Sequence, residues 1–357
     1  VSLQTHRQNK NKNSGTASKR MLLQYLRPLR CATLQTLNKA TASSFFSTSS
    51  ASLHRASSLT QAHGNTLKRQ PPTSTLSAPF TTTTTDANSM EQEPQVFMDE
   101  IDDAFLKVES DIASILSKNK SWAVIDNFLP PETIATLRQE AILLREKGHF
   151  VVSESERHGV KYEKKNVEAT ELDGGEQYYQ APRLHEYVVQ AARTLPSLLS
   201  NGDVDLDGTV AANKLAVCLG GGSSYDKHLD NSGRGDTRKL TCLLYLNDSN
   251  WKSSLGGNFR LWHEKIDAST GKVSEVQVVD VVPKGGRMIV FFSDALVHAV
   301  MPSEACKEEE HRYALTVWLP TANGIVDIEE NKEREERHWG PSSVSAFDVD
   351  PKDVETI

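Results

Sequence analysis

Lys239-Leu240-Thr241-Cys242-Leu243-Leu244-Tyr245-Leu246-Asn247 decides the fold class. On an extended backbone successive side chains point to opposite faces. Leu240, Cys242, Leu244 and Leu246 then share one wholly apolar face, and Thr241, Leu243 and Tyr245 share a mixed one. The run 311–319 reads the same way. Tyr313, Leu315, Val317 and Leu319 form its apolar face; Arg312, Ala314, Thr316 and Trp318 form its mixed face. A mixed face with a few placed polar groups suits the lining of a pocket. Similar short runs occupy 213–219, 225–230, 257–263, 276–282, 287–292 and 297–301, separated by Gly, Asn, Asp and Pro. Short strands with no helices between them predict an antiparallel sandwich or barrel.

Helices are expected outside this β region. Met98, Ile101, Phe105, Val108, Ile112 and Ile115 recur at steps of three and four, which predicts an amphipathic helix over 95–117 docked on the domain. Trp122 to Asp126 reads as a strand. Pro130-Pro131-Glu132-Thr133 opens a second helix that buries Ile134, Leu137, Ala141 and Leu144, and 183–199 reads as a third. The charged run Glu329–Glu336 predicts a solvated helix followed by a loose end. The organisation expected is a leader at 1–90, a helical and strand support region at 91–200, a β core at 201–322 and a charged tail at 323–357.

Charge is unevenly spread. Residues 1–85 hold 11 Lys and Arg and no acid, whereas the remainder holds 29 Lys and Arg against 47 Asp and Glu. The acidic part gives no reason to expect nucleic-acid binding. Segment 41–85 is nearly half Ser and Thr and cannot bury enough apolar surface to form a core. Met21-Leu22-Leu23-Gln24-Tyr25-Leu26-Arg27-Pro28-Leu29-Arg30 is basic and apolar. Arg-rich, Ser-rich and acid-free is the composition of a transit peptide, so a mitochondrial or plastid location is expected, with cytoplasm or nucleus for a chain lacking that address. No apolar run reaches the length of a membrane span. Cys31, Cys218, Cys242 and Cys306 show no paired spacing and are expected as reduced thiols.

The chemistry-bearing pattern is His228-Leu229-Asp230, then His298, then Arg312. Positions i and i+2 of a strand share a face, so His228 and Asp230 can reach one metal ion, and His298 can join them from another strand. Two imidazoles and one carboxylate on one face are the donor set of non-haem Fe(II) oxygenases. Arg312 offers a fork suited to a carboxylate, with Lys214 as its rival. His263 is a rival metal ligand. His311 neighbours Arg312 and therefore faces away from the site.

Five segments carry a family resemblance: Tyr225 to Asn231, Thr241 to Asn247, Leu255 to Leu261, Phe291 to Val300 and Arg312 to Trp318. Together with 122–150 they resemble the prolyl 4-hydroxylase group of 2-oxoglutarate- and Fe(II)-dependent dioxygenases, in particular its hypoxia-sensing branch, over residues 120–320. The resemblance implies a mainly β fold with flanking helices, a double-stranded β-helix (jelly roll) core. It implies Fe(II) held by His228, Asp230 and His298, and 2-oxoglutarate held by Arg312 and Tyr245 in a pocket lined by Leu243, Thr316 and Trp318. It further implies O2 as oxidant, ascorbate as reductant, and peptidyl-proline 4-hydroxylation of a protein or peptide, with release of succinate and CO2. A monomer is expected. Cys218 stands where the hypoxia-sensing branch has a tyrosine, Leu219-Gly220-Gly221-Gly222 replaces a Pro-Gly turn, and the loop from Trp262 to Asp280 is longer than in that branch.

Other readings are the same chemistry on another residue type or a small molecule, a catalytically silent jelly-roll binding module, and a zinc hydrolase. A silent module usually loses one metal or cosubstrate position, and here each is filled. A hydrolase has no use for Arg312.

Overall fold

In the computed structural model the described residues are 87–115, 121–157, 160–199, 206–207, 212–321 except 232 and 234, and 328–357 except 342–344 and 346–347. All belong to one compact unit, Thr81–Ile357. The expectations for residues 1–85 lie outside the described residues.

In chain order the elements begin with α1 (Ala87–Lys107), α2 (Glu109–Ile115), β1 (Trp122–Ile125) and α3 (Pro131–Glu146). A hairpin follows, β2 (Val151–Arg157) and β3 (Val160–Thr170), and then α4 (Glu176–Gln180) and α5 (Pro182–Leu199). The β core comprises β4 (Ala212–Cys218), β5 (Ser223–His228), β6 (Arg238–Tyr245), β7 (Phe259–Ile266), β8 (Val273–Val281), β9 (Met288–Phe292), β10 (Val297–Ser303) and β11 (Arg312–Pro320). Last come α6 (Ile328–Trp339) and β12 (Val354–Thr356).

The strands form two sheets, ordered β1-β9-β6-β11-β4-β3-β2 and β12-β8-β7-β10-β5. Within the core every strand pairing is antiparallel. Two sheets packed face to face with consecutive strands divided between them are a jelly roll, and the fold is mainly β with flanking helices. The alternation in β6 and β11 sorts their side chains as expected. Leu240, Cys242, Leu244, Leu315 and Val317 are buried with residues of the helices, including Phe105, Leu137 and Tyr187. Leu243, Tyr245 and Ala314 are buried between the sheets with Ile289, Phe291, Phe259 and Leu261. The helices thus cover one side of the larger sheet and leave its other side to form the interior with the smaller sheet.

Four boundaries depart from the sequence reading. α1 begins at Ala87, a full turn or more before 95, and a turn at Val108 separates it from α2. β5 ends at His228, so Asp230 stands in the following turn and not in the strand. The stretch 262–280 is largely a β-hairpin, with β7 paired to β8 from Phe259↔Val281 to Ile266↔Val273. The tail does not end loose: β12 pairs in parallel with β8, and the Arg287 guanidinium donates to the carbonyl of Ile357 at 2.9 Å. The hairpin β2–β3 extends the larger sheet at its edge. Its sequence carries charges on both faces, which hides the period-2 signal of a half-buried strand.

Candidate metal and cosubstrate site

β10 runs antiparallel beside β5, and the pairing sets His298 directly opposite His228. The turn after β5 then brings Asp230 to the same place. That turn is tied down by Asn231, whose amide donates to the carbonyls of Asp236 and Arg238. The result is a cluster in which ligand atoms of His228, Asp230 and His298 all lie within 4.8 Å of one another.

The partners of each side chain orient the donors. His228 and His298 each present Nδ1 to a backbone carbonyl, of Asp226 at 2.7 Å and Leu296 at 3.0 Å. A ring nitrogen facing a carbonyl carries the proton, so the lone pair sits on Nε2. Both Nε2 atoms stand 3.6 Å from Asp230 Oδ1. The other carboxylate oxygen, Oδ2, accepts from the Thr241 hydroxyl at 2.8 Å and the Trp318 indole at 3.0 Å. Three lone pairs therefore converge while every remaining polar atom of the trio is held by a neighbour, as in metal sites whose second set of contacts fixes the ligands. Burial disfavours the charge on Asp230, but the imidazoles of His298 and His228, protonated in the acid range where the carboxyl would titrate, and the hydrogen bond from Trp318 outweigh it and hold the carboxyl well below its usual range. Burial, and then His228, pull His298 down to about 4, which keeps it neutral at physiological pH. A neutral imidazole and an ionised carboxylate are the forms that bind a divalent cation. One side of the trio is apolar: Phe259 stacks on the His298 ring at 4.9 Å, and Phe291 meets it at 4.9 Å.

The trio lines a cavity of about 390 Å³ that also reaches Arg312, Thr316, Leu243 and Trp318. Arg312, the first residue of β11, is only 3% exposed. Its Nε donates to the carbonyl of Gly257 at 2.9 Å and its Nη2 to the Tyr245 hydroxyl at 3.3 Å. Gly257 has φ of +72°, and a Cβ there would come within 2.9 Å of Arg312 Cδ. A side chain at 257 would displace the guanidinium. Cys218 is the cross-strand neighbour of Arg312, and burial pushes its thiol up. Trp318 turns its indole toward Asp230, so it joins the metal-ligand end of the cavity.

The rivals stand elsewhere. His263 lies within β7, opposite Gln277, with its ring edge-on to Trp122 at 5.9 Å. His311 precedes β11, and its carbonyl accepts from Arg138. Cys242 is fully buried among apolar side chains. Lys214 does line the cavity, and its ammonium donates to Ser153 at 2.9 Å.

Sequence reading missed three features of the site. The alternation of β6 puts Thr241 on the mixed face but does not show its bond to Asp230. Arg238 lies over the Trp318 ring at 5.2 Å. Lys164, Glu154 and Ser155 reach the cavity from the β2–β3 hairpin. Only the alternation of β6 pointed to Thr241; nothing in the hairpin's own pattern pointed inward.

Residues 214–320 match the profile of the 2OG-Fe(II) oxygenase superfamily. This segment is a 2OG-Fe(II) oxygenase domain. The chain is 28% identical over 211 residues to Egl nine homolog 1 of Homo sapiens, covering 55% of this chain and 42% of that protein. It is 26% identical over 204 residues to the hypoxia-inducible factor prolyl hydroxylase of Caenorhabditis elegans, covering 55% and 26%. To prolyl hydroxylase EGLN3 of Homo sapiens it is 38% identical over 125 residues, covering 34% and 43%. The chain thus spans less than half the length of these relatives. Among solved structures, a prolyl 4-hydroxylase from Phytophthora capsici is 27% identical, with a TM-score of 0.48 and coverage of 63% of this chain and 66% of that one. Within the oxygenase domain lie all three residues of the trio, Arg312 and Tyr245.

Proposed function

We propose that the chain is a 2-oxoglutarate- and Fe(II)-dependent dioxygenase that hydroxylates a prolyl residue of a protein substrate. The observation that carries this reading is the pairing of two ends in one cavity. At one end stand three converging lone pairs; at the other stands a buried guanidinium with no carboxylate partner among the described residues.

In this reading His228, Asp230 and His298 hold Fe(II), and Arg312 receives the far carboxylate of 2-oxoglutarate. Bound Fe(II), 2-oxoglutarate and O2 together supply oxidation of an unactivated C–H bond, with release of succinate and CO2. The protein's own residues do the positioning. Thr241 and Trp318 hold Oδ2 of Asp230, so that Oδ1 remains for the metal. Phe259 and Phe291 keep water from the His298 side. Tyr245 steadies the guanidinium while Leu243 and Thr316 line the space between the two ends. The relatives' names supply the support for a prolyl target, and ascorbate is the reductant we assign. We also assign a monomeric state, and an organellar address to the basic leader.

The test is direct. Anaerobic addition of Fe(II) and 2-oxoglutarate should produce a weak visible charge-transfer band. Admission of O2 should then give succinate, and mass spectrometry of cellular proteins should show a +16 Da shift on proline that depends on the enzyme. A band without any oxidised proline would redirect the reading to another substrate class.

A further inference from the structure

The cavity holds more positive charge than the cosubstrate needs. Besides Arg312, two lysines line it: Lys164 from β3 and Lys214 from β4. Both ammonium groups face one ring, that of Tyr225 on β5, at 4.0 Å and 5.8 Å from its centre. The hairpin that carries Lys164 is fixed over this spot, because the Tyr162 hydroxyl donates to Asp226 of β5 at 3.1 Å. Lys214 is steadied by Ser153 of β2.

Register separates Lys214, though not Lys164, from the cosubstrate anchor, since Lys164 precedes Val167, the partner of Cys218, on β3. Lys214 is in register with Thr316, whereas Arg312 is in register with Cys218. Four residues along a strand are about 13 Å, so Lys214 stands toward the trio's end of β11, where Trp318 meets Asp230.

Nearby carboxylates act on the pair only from a distance, Asp226 and Asp230 on Lys164 and Asp230 on Lys214. Glu154 also reaches the cavity, but its side chain is 57% exposed and pairs with Lys161. Asp226 accepts from Tyr162, Arg238 is paired with Asp236, and Asp230 faces the two imidazoles. Among the described residues no carboxylate forms an ion pair with Lys164 or Lys214. Burial first, and then Lys214, pull Lys164 down to about 7; burial lowers Lys214 as well. Two half-desolvated ammonium groups around one ring cost free energy that an incoming carboxylate would recover.

We propose that Lys164 and Lys214 form a carboxylate-binding point that selects substrates with an Asp or Glu beside the residue to be hydroxylated. The proposal rests on the peptidyl-proline reading and narrows it to acidic peptides. Charge complementarity of this kind sets specificity and fixes the register of a bound peptide.

Three fluorescein-labelled peptides test it, identical except for Glu, Ala or Lys on both sides of one proline. Anisotropy is read on the full chain loaded with Mn(II) and saturating 2-oxoglutarate, and hydroxylation is read with Fe(II) by mass spectrometry. The Glu peptide should bind at least about tenfold tighter than the Lys peptide. The Lys164→Gln and Lys214→Gln pair should erase that preference, and the Lys164→Glu and Lys214→Glu pair should reverse it. Equal affinities in the wild type, or a preference that survives the Gln pair, overturns the proposal. So does a preference seen without 2-oxoglutarate that vanishes at saturation, which would assign the lysines to the cosubstrate. A Glu preference in binding with no oxidised proline sinks the prolyl reading and leaves this one standing; oxidised proline without charge preference does the reverse.

Discussion

Trp318 donates its indole N–H to Oδ2 of Asp230 at 3.0 Å. The bond crosses from β11 to the turn after β5 and reaches the one carboxylate of the metal trio. Because Thr241 donates to the same oxygen, Oδ1 is left to face both imidazoles. The orientation of Asp230 is therefore set by two residues outside the H-x-D motif.

Trp318→Phe removes the donor and keeps most of the ring. Loss of a contact that orients a ligand typically costs tenfold to a hundredfold in metal affinity. An anaerobic titration with Mn(II) should show a loss of about that size, with the circular dichroism spectrum unchanged. An affinity equal to wild type would mean that Thr241 alone suffices.

His298→Ala should abolish turnover and weaken metal binding severely, since it removes one of three donors, while His263→Ala should leave both intact. His263 pairs within the β7–β8 hairpin, makes an edge contact with Trp122 and is not among the residues that line the cavity. Metal content after dialysis, measured on both variants, separates the two histidines; retention of metal by His298→Ala would refute the assignment.

Arg312→Lys keeps the charge and loses the fork. Lysine cannot hold the Gly257 carbonyl and the Tyr245 hydroxyl while presenting two parallel donors to a carboxylate. The KM for 2-oxoglutarate should rise by about tenfold or more, with Mn(II) affinity unchanged. An unaltered KM would shift the anchor to Lys214.

The barrel strands and the metal trio were legible because each rests on a local pattern. Alternation in β6 and β11 placed every side chain on its face, and an i, i+2 pair with a distant histidine is a compact signature. What escaped depends on long-range pairing. Lys164 enters the cavity only because the hairpin β2–β3 joins the edge of the larger sheet beside β4, and no periodicity within 151–170 announces it. β12 is three residues long and exists through its pairing with β8. α6 was read as solvated from its charge, yet Arg334 and His338 are buried against Glu264 of β7. Charged side chains that bury themselves against one another look like solvated ones until the partner strand is known.

Glu140 supplies a pH prediction. Its carboxylate caps the start of α5, accepting from the backbone N–H of Arg183 and Leu184 at 3.2 Å and 2.9 Å. Burial nevertheless raises it to about 7. A carboxyl with a raised folded-state value binds its proton more tightly when folded, so stability falls as pH rises from about 4.5 to about 7. Glu140→Gln removes that titration. Melting temperatures between pH 4 and 8 should therefore converge or cross, with the variant gaining on the wild type as pH rises. A constant difference across that range would show that Glu140 does not titrate there.

α1 is the first element among the described residues. Phe97, Ile101 and Phe105 are almost wholly buried on this helix, and Phe105 meets Phe128 at 4.9 Å. A chain starting at residue 91 keeps all three and should retain the wild-type melting temperature and full turnover on a peptide. A chain starting at 118 exposes the surface that α1 and α2 cover and should be strongly destabilised. Phe105→Ala alone should cost about 3–5 kcal/mol in denaturant unfolding. The same boundary frames the leader. Residues 21–85 fused to a fluorescent reporter should carry it to mitochondria or plastids, as their acid-free, Arg- and Ser-rich composition predicts. A diffuse cytosolic signal would defeat that address, and loss of turnover on removing residues 1–90 would show that the segment serves the active site.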